Sequence, residues 1–242
     1  MTDKPQGDKP EIRYVNLYEP EAKIYTRKIS GFYQRLRRYS GIPLVALFVL
    51  LPWISIDGRP AVWLDMAHQK FHFLSITFWP QDLMLLAWLF IIAAYGLFTV
   101  STVFGRVWCG FTCPQTIWTL IFIVLEDLCE GDRNKRIKLD KQKWNAEKIF
   151  RKGSKHLLWL LVAFFTGVTF VGYFVPAPEL VSGLLPHIKP DGQIGLESGG
   201  WPIFFVALCS FMTYLNAGWM REQVCKYMCP YARFQSAMFD RD

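Results

Sequence analysis

Two copies of a C-x3-C-P motif contain the cysteines of this chain that are best arranged for chemistry. The first copy runs from Cys109 to Pro114 and the second from Cys225 to Pro230, 116 positions later, and each follows a long apolar segment. Thiolate sulfur is the ligand that soft metal ions and iron–sulfur clusters prefer. Two such motifs at the ends of two apolar segments predict the halves of one shared site. Its predicted ligands are Cys109, Cys113, Cys225 and Cys229.

The proline in each copy predicts the local structure of the second cysteine. A residue before proline avoids the helical conformation, and proline suits the first position of a helix. Cys113 and Cys229 are therefore predicted to end a loop, each at a helix N-terminus, where free amides and the helix dipole favour thiolate over thiol. The nearby cations Arg106, Arg221 and Lys226 are predicted to act in the same direction.

The spacing of the cysteines leaves the identity of the bound group open. Four thiolates can hold a [4Fe–4S] cluster, a zinc ion or a cuprous ion. The alternative to ligation is that these are buried or incidental thiols near the ends of apolar segments. The repetition of the motif, with proline in both copies, favours ligation.

Four further side chains are weaker candidates for metal binding. Cys129 could be a fifth ligand, but a semi-buried structural role is favoured, and Cys209 inside an apolar segment is predicted to pack. His68 and His72 stand four positions apart and could share a metal on a helix. An amphipathic segment at the membrane interface is the favoured interpretation for these two histidines.

The elements that would position the motifs are membrane spans. The chain has 242 residues, of which 52% are hydrophobic, and long apolar segments alternate with basic loops. Trp and Tyr cluster at the ends of these segments, as they do at membrane interfaces. The predicted spans cover about 40–56, 82–104, 156–175 and 201–220.

A fifth apolar run, 116–125, is too short to cross a bilayer before it meets Glu126 and Asp127. A helix over about 115–128 is predicted instead to lie in the membrane interface or to dip into it. The two carboxylates are predicted to be solvated there.

The distribution of basic residues predicts the orientation. Of the 27 Lys and Arg, 24 lie in the segments 1–40, 105–156 and 218–242. The positive-inside rule places these segments, both termini and both motifs on the cytoplasmic side. The net charge is +7, and the basic residues lie between the apolar spans rather than on a separate domain. Nucleic acid is therefore not an expected partner, whereas anionic lipid headgroups are. No cleavable signal peptide is visible.

Together these features predict an all-α membrane protein with four transmembrane helices arranged as two parallel repeats. Each repeat would end in a cytoplasmic C-x3-C-P loop and a short interfacial helix. The predicted parts are an N-terminal cytoplasmic segment, 1–39, a first repeat, 40–130, a basic loop, 131–155, and a second repeat, 156–242.

Three stretches of this sequence resemble the CcoG family, also called FixG or RdxA. They are Trp79 to Asp82, Gly105 to Thr116 and Cys225 to Gln235. The resemblance implies a multi-pass protein of the bacterial inner membrane that carries an iron–sulfur cluster and helps to assemble cbb-type cytochrome c oxidase. The activity it implies is that of a cupric reductase, with copper ion and the oxidase assembly machinery as partners.

The same resemblance implies that family members continue into a ferredoxin-like segment, so that a chain ending at Asp242 is expected to be a fragment. Two other functions use the same residues. One is a copper-binding or assembly factor without a redox step, in which the four thiolates hold cuprous ion. The other is a structural membrane subunit.

Overall fold

The computed structural model describes residues 25–26, 31–56, 59–66, 68–74, 76–105, 107–184, 187–188, 194–195, 200–232 and 234, and most of them are helical. The α-helices are α1 Phe32–Leu50, α2 Leu83–Phe104, α3 Val107–Phe111, α4 Pro114–Glu130, α5 Arg133–Lys141, α6 Ala146–Val171, α7 Ala177–Leu184, α8 Gly200–Tyr214 and α9 Arg221–Gln223. A 3-10 turn at Pro80–Asp82 precedes α2, and π-helical turns at Leu215–Trp219 and Val224–Met228 flank α9.

Helix α6 packs against both α4 and α8, which lead out of and into the two motifs. At the contact with α8, Gly167 leaves no room for a side chain, because a Cβ there would lie 2.8 Å from the carbonyl oxygen of Val206. Small residues allow such close approach between membrane helices. At the contact with α4, the rings of Phe122 and Trp159 are 5.4 Å apart, and Trp159 donates to the Phe122 carbonyl at 3.1 Å.

Among the described residues, four helical segments are long and apolar enough to cross a membrane. They are Pro80–Phe104, Val107–Glu130, Ala146–Val171 and Gly200–Trp219. Three of the four overlap the predicted spans at 82–104, 156–175 and 201–220. The remaining segment, Val107–Glu130, includes the helix that was predicted to be interfacial. It is longer than the predicted helix at 115–128, mainly because α3 precedes α4 almost without a break and also because α4 continues past the acidic residues to Glu130.

The predicted span at 40–56 falls instead in α1, which is not one of these four segments. Helix α1 starts at Phe32, earlier than predicted, so three arginines of the basic N-terminal segment belong to it and make it less apolar. Pro43 lies inside the helix rather than in its first turn. The helix ends at Leu50, before Pro52, as the position of that proline predicts.

The two ends of the bundle gather different parts of the chain. At one end, the backbone N–H of Leu64 donates to the carbonyl of Tyr173, just after α6, at 2.8 Å. At the other end, the Tyr25 hydroxyl donates to the carboxylate of Asp140 in α5 at 2.7 Å. The segment after α1 thus lies at the same end of the bundle as the last residues of α6. The N-terminal segment lies at the same end as the basic loop. The Lys and Arg distribution predicts the same grouping.

Five short strands lie between α1 and α2, so the all-α prediction is wrong for this part of a mostly helical chain. The strands are β1 Ser55–Ile56, β2 Arg59–Pro60, β3 Val62–Asp65, β4 Lys70–Phe73 and β5 Ile76–Phe78. β1 pairs with β2, and β3, β4 and β5 form an antiparallel sheet. A further antiparallel pair joins β6 His187–Ile188 to β7 Ile194–Gly195. Aromatic and β-branched side chains face each other across β3, β4 and β5, which favours strands over a helix.

Candidate metal centre

The first motif spans the junction of α3 and α4. Cys109 lies in α3, and Cys113 precedes α4 with an extended backbone (φ −60°, ψ 126°). Pro114 is the first residue of α4, as its place after Cys113 predicts. The Thr116 hydroxyl donates to the Cys109 carbonyl at 2.6 Å and ties α3 to the first turn of α4. The first cysteine is therefore helical, and only residues 112–113 separate the two helices.

The second motif differs from the first motif in the backbone structure around its first cysteine and resembles it at the second cysteine. Cys225 lies in the π-helical turn Val224–Met228, whereas Cys109 lies in an α-helical turn. Cys229 has an extended backbone (φ −81°, ψ 111°), like Cys113, and the helical residues 230–232 follow it. Proline thus sets the same local geometry at both second cysteines. The arrangement of the whole chain as two parallel repeats stays a prediction.

The fold brings Cys113 to the second motif. The Gln115 side-chain amide donates to the carbonyl of Asn216 at 2.9 Å, which links the start of α4 to the π-helical turn before α9. Burial raises the pKa of the Cys225 thiol, and the neighbouring Cys113, Cys229 and Glu222 raise it further. The charge of Cys113 thus acts on a thiol of the second motif. Cys109 lies one helical turn before Cys113.

Two of the three cations that were predicted to favour thiolates lie next to carboxylates. The Arg221 guanidinium donates to the Glu126 carboxylate and to the Ala217 carbonyl, both at 2.9 Å. Lys226 Nζ lies 3.9 Å from the Glu222 carboxylate, and Arg106 lies outside the described residues. An effect of these cations on the thiolates of Cys113 and Cys229 stays a prediction.

A cation that the sequence did not single out lies beside the first motif. Arg37 in α1 extends its guanidinium to Gly110, where an added Cβ would lie 3.9 Å from Nη2. The Ser40 hydroxyl, one turn later in α1, donates to the Phe111 carbonyl at 3.1 Å. No local pattern could have identified Arg37, since it is 72 positions from Cys109 and reaches the motif only through the packing of α1 on α3.

The donor set fits an anionic, thiolate-held group. Buried polar atoms without a hydrogen-bond partner occur next to both motifs, namely Arg37 Nε and the Tyr231 hydroxyl. Both are donors, and donors suit a negatively charged cluster. In the described part of the chain, no three His, Cys, Asp or Glu side chains are close enough together to hold a single metal ion. The shared four-cysteine centre therefore stays a prediction.

A buried ion cluster joins the helices that carry the motifs, and it corrects the prediction that Glu126 and Asp127 are solvated. The α4 ion cluster comprises Glu126, Asp127, Glu130, Arg136, Lys155 and Arg221. The Glu126 carboxylate oxygen Oε2 lies 2.9 Å from Nη1 of Arg221 and 3.5 Å from Nη1 of Arg136. Oε1 of Glu130 lies 2.7 Å from Nζ of Lys155, and Oδ1 of Asp127 lies 2.7 Å from Nη2 of Arg136. These distant cations allow α4 to bury acidic residues where the sequence suggested contact with water.

The weaker metal candidates do not form a site. His68 lies in a turn with Nδ1 2.7 Å from Asp65, whereas His72 lies in β4 with Nδ1 3.0 Å from the Thr77 hydroxyl. The helix that would have let the two histidines share a metal is absent from that segment, because residues 70–73 form a strand. Cys129 is half-buried in the last turn of α4, and Cys209 is half-buried in α8.

Comparison with known proteins indicates an iron–sulfur protein. Residues 220–242 match the family model of a 4Fe–4S dicluster domain, and this stretch contains Cys225 and Cys229. No solved structure matches the chain.

Three curated proteins resemble nearly the whole chain. The nitrogen fixation protein FixG of Rhizobium meliloti is 36% identical over 93% of this chain and 42% of its own length. The proteins RdxA and RdxB of Cereibacter sphaeroides are 36% and 34% identical over 93% and 96% of this chain. The match covers 47% of RdxA and 48% of RdxB, so this chain spans about half the length of these relatives.

Proposed function

We propose that this chain, which belongs to the family of FixG, RdxA and RdxB, is the membrane part of an iron–sulfur electron-transfer protein. One observation carries this function: the segment that matches a 4Fe–4S dicluster domain contains Cys225 and Cys229. The hydrogen bond from Gln115 to the Asn216 carbonyl, which joins the start of α4 to the segment before the second motif, supports a part for the first motif. The apolar helices support a site at the membrane.

The proposed ligands of a [4Fe–4S] cluster are Cys109, Cys113, Cys225 and Cys229. Such a cluster supplies one-electron transfer, with a potential set by net charge, hydrogen bonds to sulfur and solvent exposure. Arg37 offsets the negative charge of the thiolates from the side of α1. The contact between Glu126 and Arg221 positions the second motif relative to α4, which begins directly after Cys113.

The resemblance to the CcoG family extends the proposal to an electron acceptor. One electron reduces cupric to cuprous ion, and the cuprous product is delivered to a cbb-type cytochrome c oxidase during its assembly. In this proposal the protein lies in the bacterial inner membrane with both termini and both motifs on the cytoplasmic side. The Lys and Arg distribution supports that orientation.

The cluster is tested by purifying the protein without oxygen and measuring iron, acid-labile sulfide and visible absorbance. We expect about four irons per chain and a broad band in the visible range for a [4Fe–4S] cluster. Replacing any one of the four motif cysteines by serine should remove most of the iron. Cys129→Ser and Cys209→Ser are matched controls that should keep it.

The same experiment can contradict the proposal in two ways. Iron-free protein would overturn the iron–sulfur function. Loss of iron in the Cys225→Ser and Cys229→Ser variants alone would overturn the shared centre, because the first motif would then have no part in it.

The acceptor is tested by adding cupric ion to the reduced protein in the presence of a chelator specific for cuprous ion. We expect one cuprous ion for each electron stored in the cluster. Reduced protein that leaves cupric ion unchanged, or cluster-free serine variants that reduce it equally fast, would contradict copper reduction.

A further inference from the structure

A cavity of about 480 Å³ lies between α1, α4, α6 and α8, next to the first cysteine motif. Thr112 and Pro114, the residues on either side of Cys113 in the chain, line this cavity. Its volume is in the range of small-molecule sites, which often lie between helices of a bundle. Apolar side chains form most of its wall, and the helices around it belong to a membrane protein, so the bilayer is the natural source of a ligand.

Aromatic rings shape one part of this cavity. Phe48 of α1, Trp118 of α4 and Phe170 of α6 line it. The rings of Phe48 and Trp118 are 5.7 Å apart and inclined by 79°, so one meets the other edge to face. Aromatic rings pack well against a flat, conjugated ligand. A flexible acyl chain would gain apolar burial there but no ring–ring interaction.

A few polar groups lie among the apolar ones. The hydroxyls of Thr166 and Thr213 donate to carbonyls of their own helices, each at 2.8 Å, and their oxygens can still accept a hydrogen bond. Gln115 uses one N–H for the Asn216 carbonyl, and its amide carries a second N–H and an oxygen. The wall therefore offers both acceptors and a donor, which suits a ring with oxygen substituents.

We propose that this cavity binds the ring of a lipid-soluble quinone or quinol, with the tail directed to the bilayer. A planar ring with two oxygens and an apolar tail matches aromatic walls, sparse polar groups and a membrane source. Binding needs only the cavity, whereas a role for the quinol as electron donor rests on the function proposed above. In that role each quinol gives two electrons, taken up singly by the cysteine-held centre, and releases two protons to water.

Binding is tested with decylubiquinone and the full chain in nanodiscs of defined phospholipid that contain no quinone. Because Trp118 lines the cavity, we expect saturable quenching of tryptophan fluorescence, reduced in amplitude by Trp118→Phe. Thr213→Phe, which fills the cavity from α8, should raise the half-saturating concentration about tenfold or more. Thr99→Phe, on the exposed face of α2, is the matched control and should leave the titration unchanged.

A polar variant tests the site without filling it. Gln115→Leu removes the donor and should weaken binding several-fold while the far-ultraviolet circular dichroism stays that of the wild type. Quenching that does not saturate, or that is equal in the wild type and Thr213→Phe, would mean that the quinone only dissolves in the bilayer and would overturn the proposal.

The variant in which all four motif cysteines are serine separates the two proposals. Saturable quenching in that variant, together with wild-type protein that lacks iron, would retain the quinone site and reject the iron–sulfur function. Iron-loaded wild-type protein without saturable quenching would reject the quinone site and retain the cluster.

Discussion

The thiol of Cys225 connects the two motifs at the scale of single residues. Its side chain is exposed, yet partial desolvation raises its pKa, and three groups that can be negative raise it further: Cys113, Cys229 and Glu222. One of them, Cys113, is 112 positions earlier in the chain. The pKa of Cys225 therefore depends on the charge of the first motif, and it can be measured in protein without a cluster.

We predict that alkylation of Cys225 by iodoacetamide in cluster-free protein is half-maximal above pH 9.0, the ordinary value for a thiol. Iodoacetamide reacts with the thiolate, and a raised pKa keeps the thiol protonated to higher pH. Cys113→Ser removes one of the raising charges and should move the midpoint to lower pH. The rate at each pH is measured by mass spectrometry of the Cys225 peptide.

Cys129→Ser is the control for that titration, since Cys129 is not among the groups that raise the pKa of Cys225. It should leave the midpoint where it is in the wild type. A midpoint unmoved by Cys113→Ser would contradict the proximity of the two motifs.

At the scale of elements, α4 is stabilised by charges that come from other parts of the chain. Its carboxylate at Glu126 is 7% exposed and contacts cations from the segment after α8 and from α5. A buried charge that loses its partner costs far more than an exposed one, because neither water nor another group replaces the interaction. Glu126 therefore stabilises the packing of α4 against the second motif.

We predict that Glu126→Gln lowers the free energy of unfolding by about 3 kcal/mol, because it leaves buried cations with one carboxylate fewer. Glu147→Gln is the matched control, since Glu147 is 60% exposed and pairs with Arg151 at 2.7 Å within one helix. Its effect should be about 0.5 kcal/mol or less. Denaturant titration in detergent measures both, and equal losses would contradict a structural role for the α4 ion cluster.

The contact between α6 and α8 gives a second prediction at this scale. Gly167→Ala should destabilise the protein by about 1–3 kcal/mol, because its Cβ would meet the Val206 carbonyl at 2.8 Å and push the helices apart. Gly153→Ala, in the same helix, meets nothing within 4 Å. That variant should gain about 0.5–1 kcal/mol from the better helix propensity of alanine. The same titration compares them, and similar effects would argue against the close contact.

At the scale of the whole molecule, each end of the bundle collects segments that the charge distribution assigns to one face of the membrane. The sheet β3–β4–β5 lies with the end of α6, and Tyr25 lies with α5. The segment Val107–Glu130, which contains α4, is also long and apolar enough to cross a membrane, whereas α1 is not among the four candidates. The four predicted spans and the interfacial position of α4 therefore stay predictions.

We predict that Met66→Cys and Lys138→Cys are labelled from opposite faces of the inner membrane. A membrane-impermeant maleimide added to cells with a permeable outer membrane should label Met66→Cys, whereas Lys138→Cys should react only after lysis. Both positions are exposed, so access decides the outcome. Mass spectrometry of the labelled peptides separates them from native cysteines, and labelling of both from one face would contradict the orientation.

The sequence by itself determined the features that depend on neighbouring residues. The proline of each motif predicted an extended Cys113 and Cys229, and three apolar segments predicted three of the four membrane-crossing candidates. Backbone preference and hydrophobicity are properties of a short segment, so they can be read from it.

Only the tertiary structure decided that Gln115, at the start of α4, bonds to Asn216 before the second motif, and that Glu126 is buried against Arg221. It also decided that Arg37 reaches Gly110, and that four helices leave a cavity next to Cys113. Each of these contacts joins residues far apart in the chain. Such contacts depend on how the helices pack, and no spacing within a single segment encodes that.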